Sequence, residues 1–161
     1  AGLLLHGRPR SYVAAVGEAT RGCAGIILQF PLYAGILGIM KGTGLAASFA
    51  TLTAGVGTAG GFGVTTFLSA GLINLFVPSG GGQWAVQGPI ALEAAGAVGA
   101  APGYAVLAVA YGDQWTNMLQ PFWALPLLGI TRVGARDLMG YTVVLLLASG
   151  VWFVAMLLAF A

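Results

Sequence analysis

Polar residues and glycines interrupt a long apolar stretch in the middle of the chain. The segment Asn74–Ile90 reads NLFVPSGGGQWAVQGPI, and the run TTFLSAGLINLFV leads into it. A bilayer core offers no water to an open backbone, so irregular chain at that depth is found only where protein buries it or where it lines a cavity. The break therefore predicts a solute site of the kind that broken helices form in secondary transporters. The candidate substrate-binding residues of this segment are Ser79, Gly80, Gly81, Gly82, Gln83, Trp84 and Gln87.

The chemistry expected at this break is the capture of an anion by backbone amides. A helix N-terminus exposes unpaired N–H groups and a positive dipole end, so it binds carboxylate or phosphate without a cationic side chain. This matters because residues 42–131 contain no Lys, Arg or His. Ser79 and Gln83 add side-chain donors, and the three glycines permit close approach and a positive φ. The alternative is a tight turn between two packed helices; the adjacent polar residues favour the site.

A second polar segment, GDQWTNMLQP at residues 112–121, lies inside another apolar stretch. Asp113 is its only ionisable residue, and an ionisable group inside a membrane is a functional candidate. With Thr116, Asn117 and open carbonyls, Asp113 is a candidate site for a coupling proton or Na⁺. The alternative is that Asp113 caps a helix by accepting bonds from the amides two or three residues on, and both roles are compatible.

Aromatic residues stand beside both polar segments. Tryptophan is a common anchor at the membrane interface. Next to polar residues it also forms the wall of apolar pockets. Trp84 and Trp115 are therefore candidate walls of a pocket for a short acyl chain, and Asn117 is a further candidate contact to the same substrate.

The composition is that of a membrane protein. The 161 residues are 58% hydrophobic and 6% charged, with a mean hydropathy of +0.93. Soluble domains carry about 25% charged residues, so this chain has too few to cover a surface that faces water. Its net charge of +2 comes from basic residues near the predicted membrane edges, which is not a nucleic-acid-binding pattern. The positive-inside rule places residues 8–21 and 132–136 on the cytoplasmic side.

Hydropathy divides the chain into a cytoplasmic or interfacial segment, residues 1–22, and a transmembrane domain, residues 23–161. The first segment contains a predicted surface helix, Arg10–Arg21, with Ser11 as its N-cap. The chain begins with Ala, and its start lacks the basic region and the apolar length of a signal peptide. We therefore interpret it as the C-terminal part of a longer protein.

The predicted fold is an all-α integral membrane bundle with several spans, a re-entrant helical hairpin and a discontinuous helix. The hairpin has its tip at Pro78–Gln83. Its first arm, Thr65–Val77, reaches about 20 Å as a helix, which is too short to cross a bilayer. The full set of predicted elements is the span Cys23–Met40, a second span or two half-helices over Gly44–Gly61, the arms Thr65–Val77 and Trp84–Val98, the discontinuous helix Tyr104–Thr131, the charged loop Arg132–Asp137 and the final span Gly140–Phe160.

Several stretches of the chain resemble a known family. They are LQFPLYAGILGIMKGTGL, TFLSAGLINLFVPSGGGQWAVQGPI, GDQWTNMLQPFWALPLLGI and ARDLMGYTVVLL. These resemble the bacterial short-chain fatty acid transporters, the AtoE-like proteins, of which the chain looks like the C-terminal portion. That family is similar to the wider ion-transporter superfamily, which implies two inverted repeats, each with a re-entrant hairpin and a discontinuous helix. The chain would hold one repeat, with Ser79–Trp84 at the hairpin tip and Asp113–Gln120 in the unwound helix.

The expected function is secondary transport of short-chain fatty acids, monocarboxylates such as acetoacetate or butyrate, across the bacterial inner membrane by proton or cation symport. The alternatives are transport of another organic anion and, with far less support, a membrane-embedded enzyme. The predicted interior lacks the His and the paired carboxylates that such an enzyme would use. No cofactor or metal is expected apart from a coupling H⁺ or Na⁺. The expected partners are the substrate, the lipid bilayer and the N-terminal half of the same protein; a homo-oligomer stays open, and nucleic acid is not expected.

Overall fold

The computed structural model of the chain describes residues 1–45, 47, 48, 51, 58–120 and 124–161. All regular secondary structure in these ranges is helical, which confirms the all-α prediction. The helices that lie wholly within the described ranges are α1 (Gly2–His6), α2 (Pro9–Gly22), α3 (Ala24–Gly42), α4 (Ala59–Phe76), α5 (Gly80–Ala97), α6 (Pro102–Thr116), the 3₁₀ turn η1 (Asn117–Leu119), α7 (Leu125–Thr131) and α8 (Ala135–Ala159).

One helix in the described ranges, α8, is long and apolar enough to cross a membrane. Its 25 residues extend about 38 Å, which exceeds the hydrocarbon thickness of about 30 Å. Pro9–Gly22 and Ile27–Gly42 pass the same test only as a pair, and they are bent by 49°. The composition and α8 are those of a membrane protein, whereas the number of crossings stays a prediction.

The best-packed part of the structure is formed by α4, α5, α6 and α8. Helices α4 and α6 approach so closely that a Cβ on Gly112 would overlap the carbonyl oxygen of Phe67 and lie 2.9 Å from the amide nitrogen of Gly71. Small residues permit such contact between backbones, which is how helices associate in lipid. The buried alanines Ala105 and Ala108 continue this narrow interface along α6.

Two long aromatic side chains attach α6 to α8. The hydroxyl of Tyr104 donates to the carbonyl of Leu157, and the indole N–H of Trp115 donates to the carbonyl of Leu146. Residue numbers therefore rise along α6 as they fall along α8, so the two helices are antiparallel. Gly150 leaves room for the second bond, since a Cβ there would lie 3.0 Å from the indole nitrogen.

Helices α4 and α5 form an antiparallel hairpin. The side-chain amide of Gln83 donates to the carbonyl of Ala70, and one turn later Gln87 donates to Ser69. The helix break between them covers residues 77–79 only. The prediction of a short first arm is wrong, because α4 has 18 residues and extends about 27 Å. Its length alone thus gives no argument that the hairpin is re-entrant.

Other predicted boundaries also change. Helix α6 continues through residues 112–116, so the second break begins at η1, five residues later than predicted. Helix α8 begins at Ala135, so the charged loop is confined to residues 132–134. Helix α2 has Arg8 and not Ser11 at its N-cap, because Pro9 supplies the first helical residue. Half of the predicted segment Gly44–Gly61 lies outside the described residues.

The close α4–α6 contact predicts that Gly112→Ala destabilises the protein. The added methyl group would meet backbone atoms, which cannot move away as a side chain can, and overpacking of this kind costs about 1–3 kcal/mol. We expect a lower melting temperature for the detergent-purified protein. Gly103→Ala is the matched control on the same helix, because no atom lies within 4 Å of its added Cβ. Equal melting temperatures for the two variants would contradict the contact.

Candidate functional site

A fully buried asparagine joins the two polar segments. The amide nitrogen of Asn74 lies 2.7 Å from the carbonyl oxygen of Asp113, 3.0 Å from the hydroxyl of Thr116 and 2.8 Å from the side-chain oxygen of Asn117. The side-chain amide of Gln120 donates back to the carbonyl of Asn74 at 2.8 Å. The last turn of α4 is thereby fastened to the end of α6 and to the irregular chain that follows. We call these five residues the Asn74 cluster.

The Asn74 cluster lies at the C-terminal ends of α4 and α6, where the last backbone carbonyls have no partner within their own helix. Asn74 lies in the last turn of α4, whose final carbonyls have no partner within the helix. Thr116 ends α6, and its hydroxyl donates to the carbonyl of Gly71 at 2.9 Å. A Cβ on Gly71 would lie 3.1 Å from the methyl group of Thr116, so the glycine allows this approach. The Thr116–Gly71 contact between α4 and α6 therefore supplies a donor to a backbone carbonyl near the end of α4.

The N-terminus of α5 lies at the first break. Ser79 is the N-cap, and its hydroxyl accepts a bond from the amide of Gly82 at 3.3 Å. Among the described residues, no acceptor lies within bonding distance of the amides of Gly80 and Gly81. The glycines form the first helical turn and none has a positive φ, so the prediction of an irregular hairpin tip over Pro78–Gln83 is wrong from Gly80 onward. The exposed amide groups that it predicted are nevertheless there.

Asp113 lies at this helix terminus. Its carboxylate oxygen Oδ2 is 3.4 Å from the position that a Cβ would occupy on Gly80, so the two polar segments meet in space. The N-cap role proposed for Asp113 is wrong, because the residue lies inside α6, three residues before the last helical residue, Thr116. Its other oxygen, Oδ1, is buried and has no hydrogen-bond donor among the described residues.

Two clefts flank this junction. One of about 140 Å³ is mostly apolar and lies between α3 and the first break; its lining residues are Phe30, Tyr33, Ala34, Leu37, Val77, Pro78 and Ser79. The other, of about 260 Å³, is lined by Gly80, Trp84, Val106, Val109, Ala110 and Asp113. Trp84 thus borders a cleft, whereas its role as the wall of a substrate pocket stays a prediction. Its ring packs over Gly88, where a Cβ would lie 2.7 Å from the indole.

Several predicted site residues face the protein interior instead. Gln83 and Gln87 are buried and bonded to one another and to α4, so their amides hold the hairpin together. Trp115 packs against Phe67, with ring centroids 4.8 Å apart, and its N–H is bonded to α8. Its predicted place in a pocket wall is not supported, since it lines neither of the two clefts.

Sequence reasoning missed two members of the Asn74 cluster, Asn74 itself and Gln120, although it included the other three. The available signal was an asparagine in a helix that otherwise reads as apolar, since such residues form bonds between membrane helices. It also missed the contribution of α3 to a cleft, because nothing in local sequence connects Ala34 with Ser79. Within the described residues, no group of three or more His, Cys, Asp or Glu side chains could hold a metal.

Comparison with known proteins identifies the family. A family model described as "Short chain fatty acid transporter" matches residues 1–160. The chain belongs to the short-chain fatty acid transporter family. The family resemblance of the four sequence stretches is thereby confirmed.

Two members of the family have closely similar sequences. A protein of Escherichia coli (strain K12) named "Putative short-chain fatty acid transporter" is 52% identical over 154 residues, which are 96% of this chain and 35% of that protein. A protein of the same name from Haemophilus influenzae is 49% identical over 140 residues, 87% of this chain and 31% of that protein. The chain thus spans about a third of the length of these curated relatives. No solved structure matches it.

The bond from Trp115 to α8 predicts a structural effect for Trp115→Phe. The substitution keeps an aromatic ring against Phe67 but leaves the carbonyl of Leu146 without the indole donor. We expect a loss of about 1–2 kcal/mol of stability, measured as a lower melting temperature, and an unchanged KM for any transported acid. Trp152→Phe is the control, because Trp152 is 62% exposed. A raised KM with an unchanged melting temperature would contradict the structural role and indicate that Trp115 contacts the substrate.

Proposed function

We propose that this chain is the part of a secondary transporter that binds short-chain monocarboxylates, such as butyrate or acetoacetate, and helps to carry them across the bacterial inner membrane by symport with H⁺ or Na⁺. The observation that carries the proposal is the junction of the two polar segments. There the unpaired amides of α5 lie beside a small apolar cleft and the carboxylate of Asp113. Family membership supports transport as the activity.

The N-terminus of α5 is proposed to bind the substrate carboxylate. The free amides of Gly80 and Gly81 supply donors, the dipole of an 18-residue helix supplies positive potential, and Ser79 adds a hydroxyl. Gly80 and Gly81 are exposed, so the backbone is open to a ligand. Three further candidates, Gly82, Gln83 and Gln87, are proposed to shape this terminus. The amide of Gly82 is already bonded to the Ser79 hydroxyl, and the two glutamines hold the hairpin together.

The 140 Å³ cleft is proposed to take the acyl chain. A cavity of about 150 Å³ holds benzene, which has six carbons, so this cleft suits an acid of roughly four to six carbons. Each buried methylene contributes about 0.8 kcal/mol, so a short chain adds enough to select acids without binding them too tightly to release. We favour this cleft for the acyl chain over the one beside Trp84, because the charged side chain of Asp113 lines the latter and an apolar chain would bury it away from water.

The wider arrangement follows from this site. We propose that the α4–α5 hairpin is re-entrant, that α6, η1 and the following chain form the discontinuous helix, and that both belong to one of two inverted repeats. Residues 1–22 would then lie at the cytoplasmic interface and residues 23–161 in the membrane, with the preceding half of the protein completing the path. Asp113, Thr116 and Asn117 are proposed to serve ion coupling.

The direct test of the function is uptake. The natural full-length protein, reconstituted in proteoliposomes, is expected to accumulate labelled butyrate or acetoacetate when a proton or Na⁺ gradient is imposed, and to discriminate against dicarboxylates. Liposomes without protein provide the baseline. Absence of uptake under every gradient, with correctly oriented and folded protein, would overturn the proposal.

Gly81→Leu is expected to abolish uptake while membrane insertion and folding persist. No atom lies within 4 Å of the Cβ position at Gly81, so the side chain fits, but it covers the amides that bind the substrate. Gly96→Leu, near the other end of α5 and equally free of contacts, is the control and should transport normally. Labelled butyrate uptake and size-exclusion profiles are the measurements. Normal uptake by the Gly81 variant would exclude the α5 terminus as the carboxylate site.

Ala34→Leu is expected to change the preferred chain length. The larger side chain fills part of the 140 Å³ cleft, so the KM for butyrate should rise by about tenfold or more while acetate is less affected. Ala24→Leu, on the same helix and outside this cleft, is the control. The measurement is competition of acids of increasing length against labelled acetate. An unchanged length preference would place the acyl chain elsewhere.

A further inference from the structure

The buried side-chain atoms that lack a hydrogen-bond partner in the described part of the chain are all acceptors. Within the described residues, the buried side-chain atoms without a hydrogen-bond partner are four oxygens: Asn74 Oδ1, Gln83 Oε1, Asp113 Oδ1 and Gln120 Oε1. None is a nitrogen. Buried polar atoms are almost always paired, because leaving one unpaired costs its full desolvation. A set consisting of acceptors alone is suited to a ligand with positive charge.

Most of these oxygens belong to residues in direct contact. Asn74 donates to the backbone of Asp113 at 2.7 Å, and Gln120 donates to the backbone of Asn74 at 2.8 Å. Rotating the Asn74 amide by half a turn does not remove the imbalance. Its nitrogen already faces three acceptors with only two protons, and a turn would bring its oxygen against them. Gln83 belongs to the separate α4–α5 contact and is not part of the argument.

We infer that a sodium ion binds among the side-chain oxygens of Asn74, Asp113 and Gln120, and that it neutralises Asp113 before the substrate carboxylate binds. Hard cations take carboxylate and amide oxygens as ligands. The ion would stand at the C-terminal end of α6, where the helix dipole is negative. The second half of the inference rests on the proposed function, since it names the ion and the binding order of the proposed transporter.

The oxygens favour a metal cation over a proton. A proton on Asp113 would supply one donor, whereas three separate oxygens lack a partner and amide oxygens are not protonated near neutral pH. They also favour a single positive charge. The cluster contains one carboxylate and no cationic residue, so Na⁺ balances it while a divalent ion leaves an excess charge in a medium that penalises charge.

The same carboxylate lies next to the proposed substrate site. Asp113 Oδ2 is 3.4 Å from the Cβ position of Gly80, at the first residue of the helix whose amides are proposed to bind the substrate. Two carboxylates at one helix terminus repel each other. Sodium on Asp113 removes that repulsion, so the ion binds first and the acid second. One Na⁺ carried with one monocarboxylate is electroneutral.

The first experiment measures sodium binding without substrate. The melting temperature of the purified natural full-length protein is followed as NaCl replaces choline chloride at constant ionic strength. We expect a saturable rise for the wild type, and a half-saturating Na⁺ concentration at least about tenfold higher for Asp113→Asn and Gln120→Met. Glu93→Gln, which removes an exposed carboxylate of α5, should match the wild type. No Na⁺-specific rise, or an unaltered half-saturation in both cluster variants, overturns the site.

The second experiment separates the site from the function. Butyrate affinity is measured with and without Na⁺. The wild type should bind butyrate at least about tenfold more tightly in Na⁺ than in choline, whereas Asp113→Asn, which has no charge to neutralise, should bind it equally in both. Butyrate uptake that is driven by a proton gradient and does not depend on Na⁺ would overturn Na⁺ as the coupling ion and preserve the transport function. Sodium binding with no affinity for short acids would preserve the site and overturn the function.

Discussion

The amide of Asn74 is the interaction on which the proposed site depends. Two amide protons are shared among three acceptors at the end of α6 and in η1, all of them buried or half-buried. Bonds to such groups are strongly favoured where water is absent, because the alternative is an unpaired group. This contact fixes the end of the hairpin arm against the end of α6. Asp113 consequently stands at the start of α5, and the two polar segments become one site.

Helix packing makes that contact reachable. The α4–α6 interface is narrow because Gly71, Ala108 and Gly112 present almost no side chain, and α8 holds α6 from the other side through Tyr104 and Trp115. In lipid there is little hydrophobic force between helices, so close packing and interhelical bonds must stabilise the bundle. The glycines and the long aromatic donors are thus complementary. Gly112 lets the backbones of α4 and α6 approach, and Gly150 leaves room for the Trp115 indole to bond to a carbonyl of α8.

The electrostatics of the junction explain why an anion carrier would hold an acid at its centre. Two unit charges 4 Å apart interact by about 4 kcal/mol at an effective dielectric constant of 20, enough to exclude a carboxylate from an occupied helix terminus. An Asp at that position is unfavourable for substrate alone and useful for coupling, because only a bound cation removes the obstacle. Under the proposal, the charge of Asp113 would disfavour binding of the acid without its companion ion.

The sequence by itself determined the helical class, the membrane composition, the family and the positions of both polar segments. These follow from composition and from short patterns such as Pro-Ser-Gly-Gly-Gly, whose effects are local. Only the tertiary structure decided that Gly80–Gly82 form the first turn of α5, that α6 runs past Asp113, and that Gln83, Gln87 and Trp115 face neighbouring helices. It also brought Asn74, Gln120 and Ala34 to the site. Those outcomes depend on contacts between residues far apart in the chain, where a polar side chain bonds to whichever helix lies nearest, and no local pattern specifies that neighbour.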